Sequence, residues 1–317
     1  MEVFTLILPV FGIMVTGYVV ARLGILPETT GAVLIQFVYY VAIPALLFVV
    51  IAQEDLRNLF NPPFVVAFGA SVVGVFVLVL LGALVWRGTG LASATMVATI
   101  SVGSNTAIIG LPLLHSLFGH KALLLAAIAS IIVVLLFLVQ VLLLEFAELE
   151  APDNKQSLLI HVRNTLLNPI ILSTVLGVAY AVAPIDLPKI VADYMDLLGS
   201  ALTPCALFAI GMSINPRAVL KSEGAVAFAS IVKLVLLPVL VLGVAWVMNL
   251  DPLLAVAAVI AAALPTAKSE FIFAEQYHQS EDLVAGTISL TTAASVITLI
   301  VWLFILSHLY PGAFVLQ

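Results

Sequence analysis

Apolar runs of the length a membrane-crossing helix needs, about 20 residues, recur ten times along this chain. They cover 3–21, 32–52, 63–86, 92–118, 121–145, 166–184, 195–214, 224–248, 252–279 and 283–307, and are cut by charges and Gly/Pro clusters. The pattern predicts an all-α polytopic membrane protein of ten transmembrane helices. The first run starts directly behind Glu2, with no basic flank before it, so it is expected to be a retained helix and not a signal peptide. The fourth and ninth runs differ from the rest. Each carries polar residues and a proline near its middle, in GSNTAIIGLP and ALPTAKSE. At 1.5 Å per residue both exceed a hydrocarbon core of about 30 Å, so each is expected to tilt strongly or to break. Proline removes a backbone donor and clashes with the preceding turn, which makes Pro112, after Gly110, and Pro265 the expected break points.

The single long polar connection, 146–165, carries Glu148, Glu150, Asp153, Lys155 and Arg163 and divides the ten runs five and five. Residues 1–145 then form a first five-helix repeat, 146–165 a cytoplasmic loop and 166–317 a second repeat. Self-similarity at an offset of 160 supports this division: Pro9 and Gly17 match Pro169 and Gly177, and Pro44 in PALLF matches Pro204 in PCALF. The triplet Val66-Ala67-Phe68 likewise matches Val226-Ala227-Phe228. After five crossings the second half enters from the opposite face, so the halves are expected to be inverted repeats. Such a pair can exchange an inward-open for an outward-open arrangement, which is the logic of alternating access. Loop charges set the orientation. With the N-terminus outside, the inner loops hold Arg22, Arg87, Lys155, Arg163, Arg217 and Lys221, against Arg57, Lys121 and Lys189 outside. That excess places both termini on the non-cytoplasmic side.

Composition fixes the solvent. Hydrophobic residues make up 63% of the 317, charged residues 9%, and the mean hydropathy is +1.27. Average soluble proteins hold about 25% charged residues, so this chain lacks the polar shell that water requires. The net charge of −6 is spread thinly over short loops, with no run of like charge that would suit nucleic acid. Cys205 is the single cysteine and forms no disulfide within the chain. No metal-ligand cluster, phosphate-binding glycine loop or nucleophile triad is present, so neither an enzyme nor an ATP-driven pump is expected, and no cofactor is implied.

The candidate chemistry sits at the two expected breaks. Ser101, Ser104, Asn105 and Thr106 lie in one half; Thr266, Lys268, Ser269 and Glu270 lie in the other. Helix N-termini opened at a break present positive dipole ends to anions. Asn105, Thr106, Gly110, Pro112, Pro265, Thr266, Lys268 and Ser269 are the expected substrate-binding residues, Asn105 and Lys268 supplying the contacts to a carboxylate. Asn105 has the plainer alternative of satisfying only its neighbouring helix ends. A charge near the bilayer centre costs at least about 2.5–3.5 kcal/mol and is by default functional. Lys268 is thus expected to attract an anion or hold a fixed positive charge, and Glu270 to couple transport to protons; the alternatives are a mutual structural ion pair or two residues that face an aqueous vestibule without a role. Lys233, ten residues into the eighth run, is expected to snorkel or pair.

At these residues the sequence resembles the auxin efflux carrier family, the PIN-like transporters and their bacterial relatives. SVGSNTAIIGLPLL is similar to that family's fourth-helix motif and LPTAKSEFIFAEQY to its ninth, with IPALLF, LLGSALTPCALFAIGMSI and VKLVLLP resembling the second, seventh and eighth helices. The resemblance implies a fold like sodium/proton antiporters and bile-acid transporters. In it helices 1, 2, 6 and 7 form a scaffold, often dimeric, and helices 3–5 and 8–10 carry substrate by an elevator movement. It also implies organic-anion substrates and, from the short 146–165 loop, a bacterial-type member in the inner membrane. Lys268 and Glu270 around Ser269 depart from the small residue and asparagine usual there, which argues against carrying over auxin as the substrate.

The function expected is therefore sodium-independent transport of small organic anions, auxin-like or dicarboxylate, by a secondary carrier or facilitator with the lipid bilayer and a second copy of itself as partners. A sodium- or proton-coupled cation or solute carrier of the same fold is the nearest alternative. A membrane ligand sensor is the alternative of another class, disfavoured by the absence of a soluble output domain.

Overall fold

A computed structural model describes residues 2–27, 29–53, 61–86, 89–148, 169–183, 187–213 and 224–314. Among these the chain is helical throughout, apart from short turns and one isolated β-bridge. We number the helices α1 (Glu2–Arg22), α2 (Thr30–Ala52), α3 (Pro62–Val85), α4 (Leu91–Val102), α5 (Thr106–Leu144) and α6 (Pro169–Val182). They continue as α7 (Lys189–Met212), α8 (Gly224–Val247), α9 (Pro252–Ala263), α10 (Ser269–Gln276) and α11 (Glu281–Leu309). Six of them, α2, α3, α5, α7, α8 and α11, are long and apolar enough to cross a membrane. Within α5 the backbone of Gly119, at φ 71° and ψ −158°, separates an arm over 106–118 from one over 120–144. The protein is a polytopic membrane protein.

The helices pack in two groups. In the first, α1 lies along α7 and α2 along α6, with α7 also against α2. Glycines set these approaches. A Cβ on Gly17 would fall 2.1 Å from the carbonyl oxygen of Phe208, and one on Gly211 would fall 2.0 Å from that of Met14. The α2–α6 pair repeats the theme, since a Cβ on Gly177 would meet Ile51 Cβ at 2.9 Å and the Phe48 carbonyl at 3.2 Å. Gly17 and Gly177 are 160 residues apart, as are their backbone neighbours Phe48 and Phe208. Without a hydrophobic drive between helices in lipid, small residues that let backbones touch are what holds such pairs together.

In the second group α3, α4 and α5 pack with α8, α9, α10 and α11 around the alanine-rich α9. Residues 255–263 of α9 have no exposed surface. Its start follows from local chemistry: the Asp251 side chain accepts from the Leu253 N–H at 3.0 Å, and Pro252 occupies the first helical turn, where its missing N–H costs nothing.

Two sequence expectations change in place. The seventh helix begins at Lys189 and not near 195, its first turn carrying an exposed Lys189–Asp193 pair at 2.8 Å. The fourth run does break, but at 103–105 and not at Pro112. Pro112 sits instead just inside the α5 helix, behind a π-turn over Thr106–Gly110 whose wider winding accommodates the proline. Most of the expected 146–165 loop lies outside the described residues, as do Arg57, Arg87, Lys155, Arg163, Arg217 and Lys221, six of the nine loop charges on which the expected orientation rests.

Candidate functional site at the two helix breaks

Both breaks follow from their residues. Pro265 disfavours a helical conformation in the residue before it, and Leu264 accordingly turns extended at ψ 152°, ending α9. In the other half Gly103 turns extended at ψ 108°, ending α4. The two freed segments then pair with each other. Ser104 and Thr266 form an antiparallel bridge, with the Asn105 N–H donating to the Pro265 carbonyl at 2.9 Å and the Ala267 N–H to the Gly103 carbonyl at 3.2 Å. Backbone at membrane depth is tolerated only when satisfied in this way or beside a cavity.

The helix ends around this crossing are capped by side chains. Asn105 accepts from the Ile108 N–H at 3.3 Å through Oδ1 and so caps α5. Thr266 is fully buried; its hydroxyl donates to the Ile100 carbonyl at the end of α4 at 2.9 Å, and its N–H donates to the Thr291 hydroxyl at 3.2 Å. Ser101 donates to the Val97 carbonyl at 2.7 Å and Ser104 to that of Val102 at 3.4 Å. At the end of α9 the donor is Lys233, which is fully buried and bonds the Ala262 carbonyl. Lys233 therefore does not snorkel, and among the described residues it pairs with no acid. It reaches inward because a broken helix leaves carbonyls that need a donor.

The remaining predicted residues divide between two environments. Gly110 is needed for close approach, since a Cβ there would lie 2.7 Å from Leu264 Cδ1. Pro112 is buried, and its carbonyl accepts from the Thr203 hydroxyl of α7 at 3.5 Å. Lys268 is exposed, and with Asn105, Ile108, Ile109 and Thr292 it lines a cavity closed on the other side by Ile35 of α2 and Ile210 of α7. The cavity measures about 10 Å³, room for about one water molecule. Thr106 is buried at the start of α5 and Ser269 half-buried at the start of α10. Glu270, one residue on, faces the other way. It has no exposed surface, and its Oε2 accepts from Gln140 Nε2 of α5 at 2.9 Å. Among the described residues Lys268 and Glu270 do not pair, and no carboxylate pairs with Lys268. Gln140 is a site residue that sequence inspection passed over; its signal was a lone amide inside the run LLFLVQVLLL.

Over residues 2–303 the sequence fits the profile of a family described as membrane transport protein. The chain belongs to this family. It is 31% identical over 310 residues, 94% of this chain and 93% of the relative, to a protein of Rhizobium meliloti (strain 1021) named "Putative malonate transporter". It is 24% identical to the uncharacterized transporter YfdV of Escherichia coli (strain K12), covering 94% of this chain and 96% of that one. Auxin efflux carrier component 8 of Arabidopsis thaliana is also 24% identical, over 94% of this chain and 95% of the relative. The protein is thus a membrane transporter and not an enzyme, as the resemblance implied.

Proposed function

We propose that this protein is a sodium-independent secondary transporter or facilitator of small organic anions, with dicarboxylates as the first class to test. The observation that carries the proposal is the shared cavity of Lys268 and Asn105: a cation without a carboxylate partner among the described residues and a helix-capping amide, placed where a substrate would contact both the broken helices and α2 and α7. The relative named for malonate supports the dicarboxylate class. Thr106, Gly110, Pro112, Pro265, Thr266 and Ser269 frame this region in the proposal. Glu270 is the proposed proton-coupling group.

The mechanism proposed is an elevator movement of the α3–α5 and α8–α11 group against the α1, α2, α6 and α7 scaffold. Ten transmembrane segments would form two inverted five-helix repeats with crossing helices 4 and 9, α4 with the first arm of α5 being the fourth and α9 with α10 the ninth. The matched approaches of Gly17 to Phe208 and Gly177 to Phe48 support this repeat. Both termini non-cytoplasmic, residence in a bacterial inner membrane and a homodimeric scaffold complete the proposal.

The second reading, a sodium- or proton-coupled cation or solute carrier of the same fold, draws on the buried Glu270 carboxyl. Purified protein screened by thermal shift against malonate, other small carboxylates and sodium separates the two, because a ligand bound only by the folded state raises stability by mass action. Stabilisation by a carboxylate, lost in Lys268→Ala and matched by uptake into proteoliposomes, is expected. Stabilisation by sodium with every carboxylate inert would transfer the assignment to the cation carrier.

A further inference from the structure

Among the described residues four buried side-chain polar atoms have no hydrogen-bond partner: Gln140 Oε1, Ser230 Oγ, Glu270 Oε1 and Thr298 Oγ1. Two of the four belong to residues already bonded to each other, Gln140 and Glu270. Buried polar groups in folded proteins are nearly always satisfied, so an orphaned pair on one contact asks for an explanation. Both residues have no exposed surface. Gln140 Nε2 also lies 3.4 Å from Met96 Sδ, and the surrounding cluster of Met96, Ile100, Leu144, Ala274 and Tyr277 is apolar. Gly103 leaves room for the carboxyl, since a Cβ there would fall 2.5 Å from Glu270 Oε1.

A carboxylate ion in this place would have only neutral donors, the Gln140 amide and the Thr99 hydroxyl, and no countercharge among the described residues, which costs several kcal/mol. Among the described residues no cation is at hand. α4 carries no titratable residue. Glu281, Asp282 and His308 sit at the ends of α11, Lys121 near the kink of α5, far along the arm from Gln140, and Lys233 is committed to the Ala262 carbonyl. On α10 itself the other titratable residue is Glu275, and Lys268 just ahead of it lines the scaffold-facing cavity. The described residues also hold no group of three metal-ligating side chains.

We propose that Glu270 and Gln140 form a proton-binding site, a carboxylic acid–carboxamide pair in which one proton supplies the donor that both orphaned oxygens lack. Gln140 Nε2–H donates to Glu270 Oε2, and the proton on Glu270 Oε1 donates to Gln140 Oε1. Release breaks the O–H bond, passes the proton to water and leaves a carboxylate held only by neutral donors, the Gln140 amide N–H and the Thr99 hydroxyl. In the conformation described the pair is sealed, so proton exchange belongs to another stage of the transport cycle. The proposal rests on the carrier reading and adds the partner that holds the proton.

Glu270→Gln is the test, because a second carboxamide keeps the shape and supplies its own donor without a proton. In detergent the wild-type protein is expected to lose thermal stability as pH rises, when the buried carboxylate loses its proton, and Glu270→Gln to lose that dependence while still folding. In proteoliposomes with a pH-sensitive dye inside, malonate uptake by the wild type should move protons and uptake by Glu270→Gln should not. Gln140→Leu should move the midpoint of the wild-type pH transition. A Glu270→Gln protein with the wild-type pH profile, or an unmoved midpoint in Gln140→Leu, would overturn the proposal. Should Glu270→Gln fail to fold, the Gln140→Leu midpoint decides. Malonate inert toward the wild type would instead count against the anion-carrier reading and leave the pH comparison standing.

Discussion

Replacing Thr266 by Val isolates one hydrogen bond at the heart of the crossing. Val has nearly the shape of Thr, so the backbone pairs Asn105 N–H to Pro265 carbonyl and Ala267 N–H to Gly103 carbonyl are kept, as is the Thr266 N–H bond to Thr291. What disappears is the hydroxyl that donates to the Ile100 carbonyl at 2.9 Å. That carbonyl belongs to the last turn of α4, where the helix offers no further N–H. The neighbouring donors are committed elsewhere, Gly103 N–H to Thr99 at 2.6 Å and the Ser104 hydroxyl to Val102 at 3.4 Å. Ile100 and Thr266 are both fully buried, so no water replaces the lost partner. Leaving one buried acceptor unsatisfied costs about 1–3 kcal/mol, a large part of a typical folding stability of about 5–15 kcal/mol. Denaturation of the purified protein in detergent should show it as a clear fall in midpoint. A Val variant as stable as wild type would mean that the α4 end is wet or has another donor, and the account of the crossing as a dry, mutually capped pair would be wrong.

Three further perturbations have definite expected outcomes. Gly211→Ala places a Cβ 2.0 Å from the Met14 carbonyl, a backbone atom that cannot swing away, whereas Gly199→Ala meets Leu46 Cβ at 2.7 Å; the first should cost more than the roughly 1–3 kcal/mol of ordinary overpacking and the second less, and equal melting temperatures would refute the ranking. Gly103→Ala pushes the Glu270 carboxyl out of contact with Gln140, so a double-mutant cycle with Glu270→Ala should return a coupling energy of about 0.5–3 kcal/mol, and simple additivity would count against that contact. Lys233→Met keeps the apolar stem but strands the Ala262 carbonyl, for an expected loss of about 1–3 kcal/mol in detergent unfolding; a more stable Met variant would show that burying the amine costs more than its bond returns.

The residues that declared themselves in the sequence act through local chemistry. Pro265 ends α9 where expected because a proline constrains its own predecessor, and the ALPT signal needs no tertiary information. The long apolar runs needed none either. The first break was misplaced because its cause is not local: Gly103, Ser104 and Asn105 leave the helix to pair with 265–267, while the more conspicuous Pro112 is absorbed by a π-turn. Lys233 and Gln140 were underestimated for the same reason. Each is one polar residue in an apolar helix, and its role depends on an atom far along the chain, the Ala262 carbonyl for one and the Glu270 carboxyl for the other. Lys268 and Glu270, two residues apart, invited an ion pair; the first turn of α10 instead sends them in different directions.

That divergence bears on how the protein can work. Lys268 faces a cavity shared with the scaffold, and Glu270 faces α4 and α5 within the other group, so one helical turn links the proposed anion site to the proposed proton site. A cavity of about 10 Å³ holds no dicarboxylate, so substrate entry demands that something yield. The scaffold pairs are backbone against backbone at Gly17 and Gly211, and the crossing is tied by its bridge and caps, so these contacts themselves have no slack. Between them lie Ile35, Ile108, Ile109 and Ile210, together with the Thr203 to Pro112 bond at 3.5 Å, which is long for a hydrogen bond between oxygens. Aliphatic surfaces slide past one another without stranding polar groups, which the crossing could not do. The proposed movement of the two groups along this cavity would therefore open the proposed substrate site without dismantling the breaks that shape it.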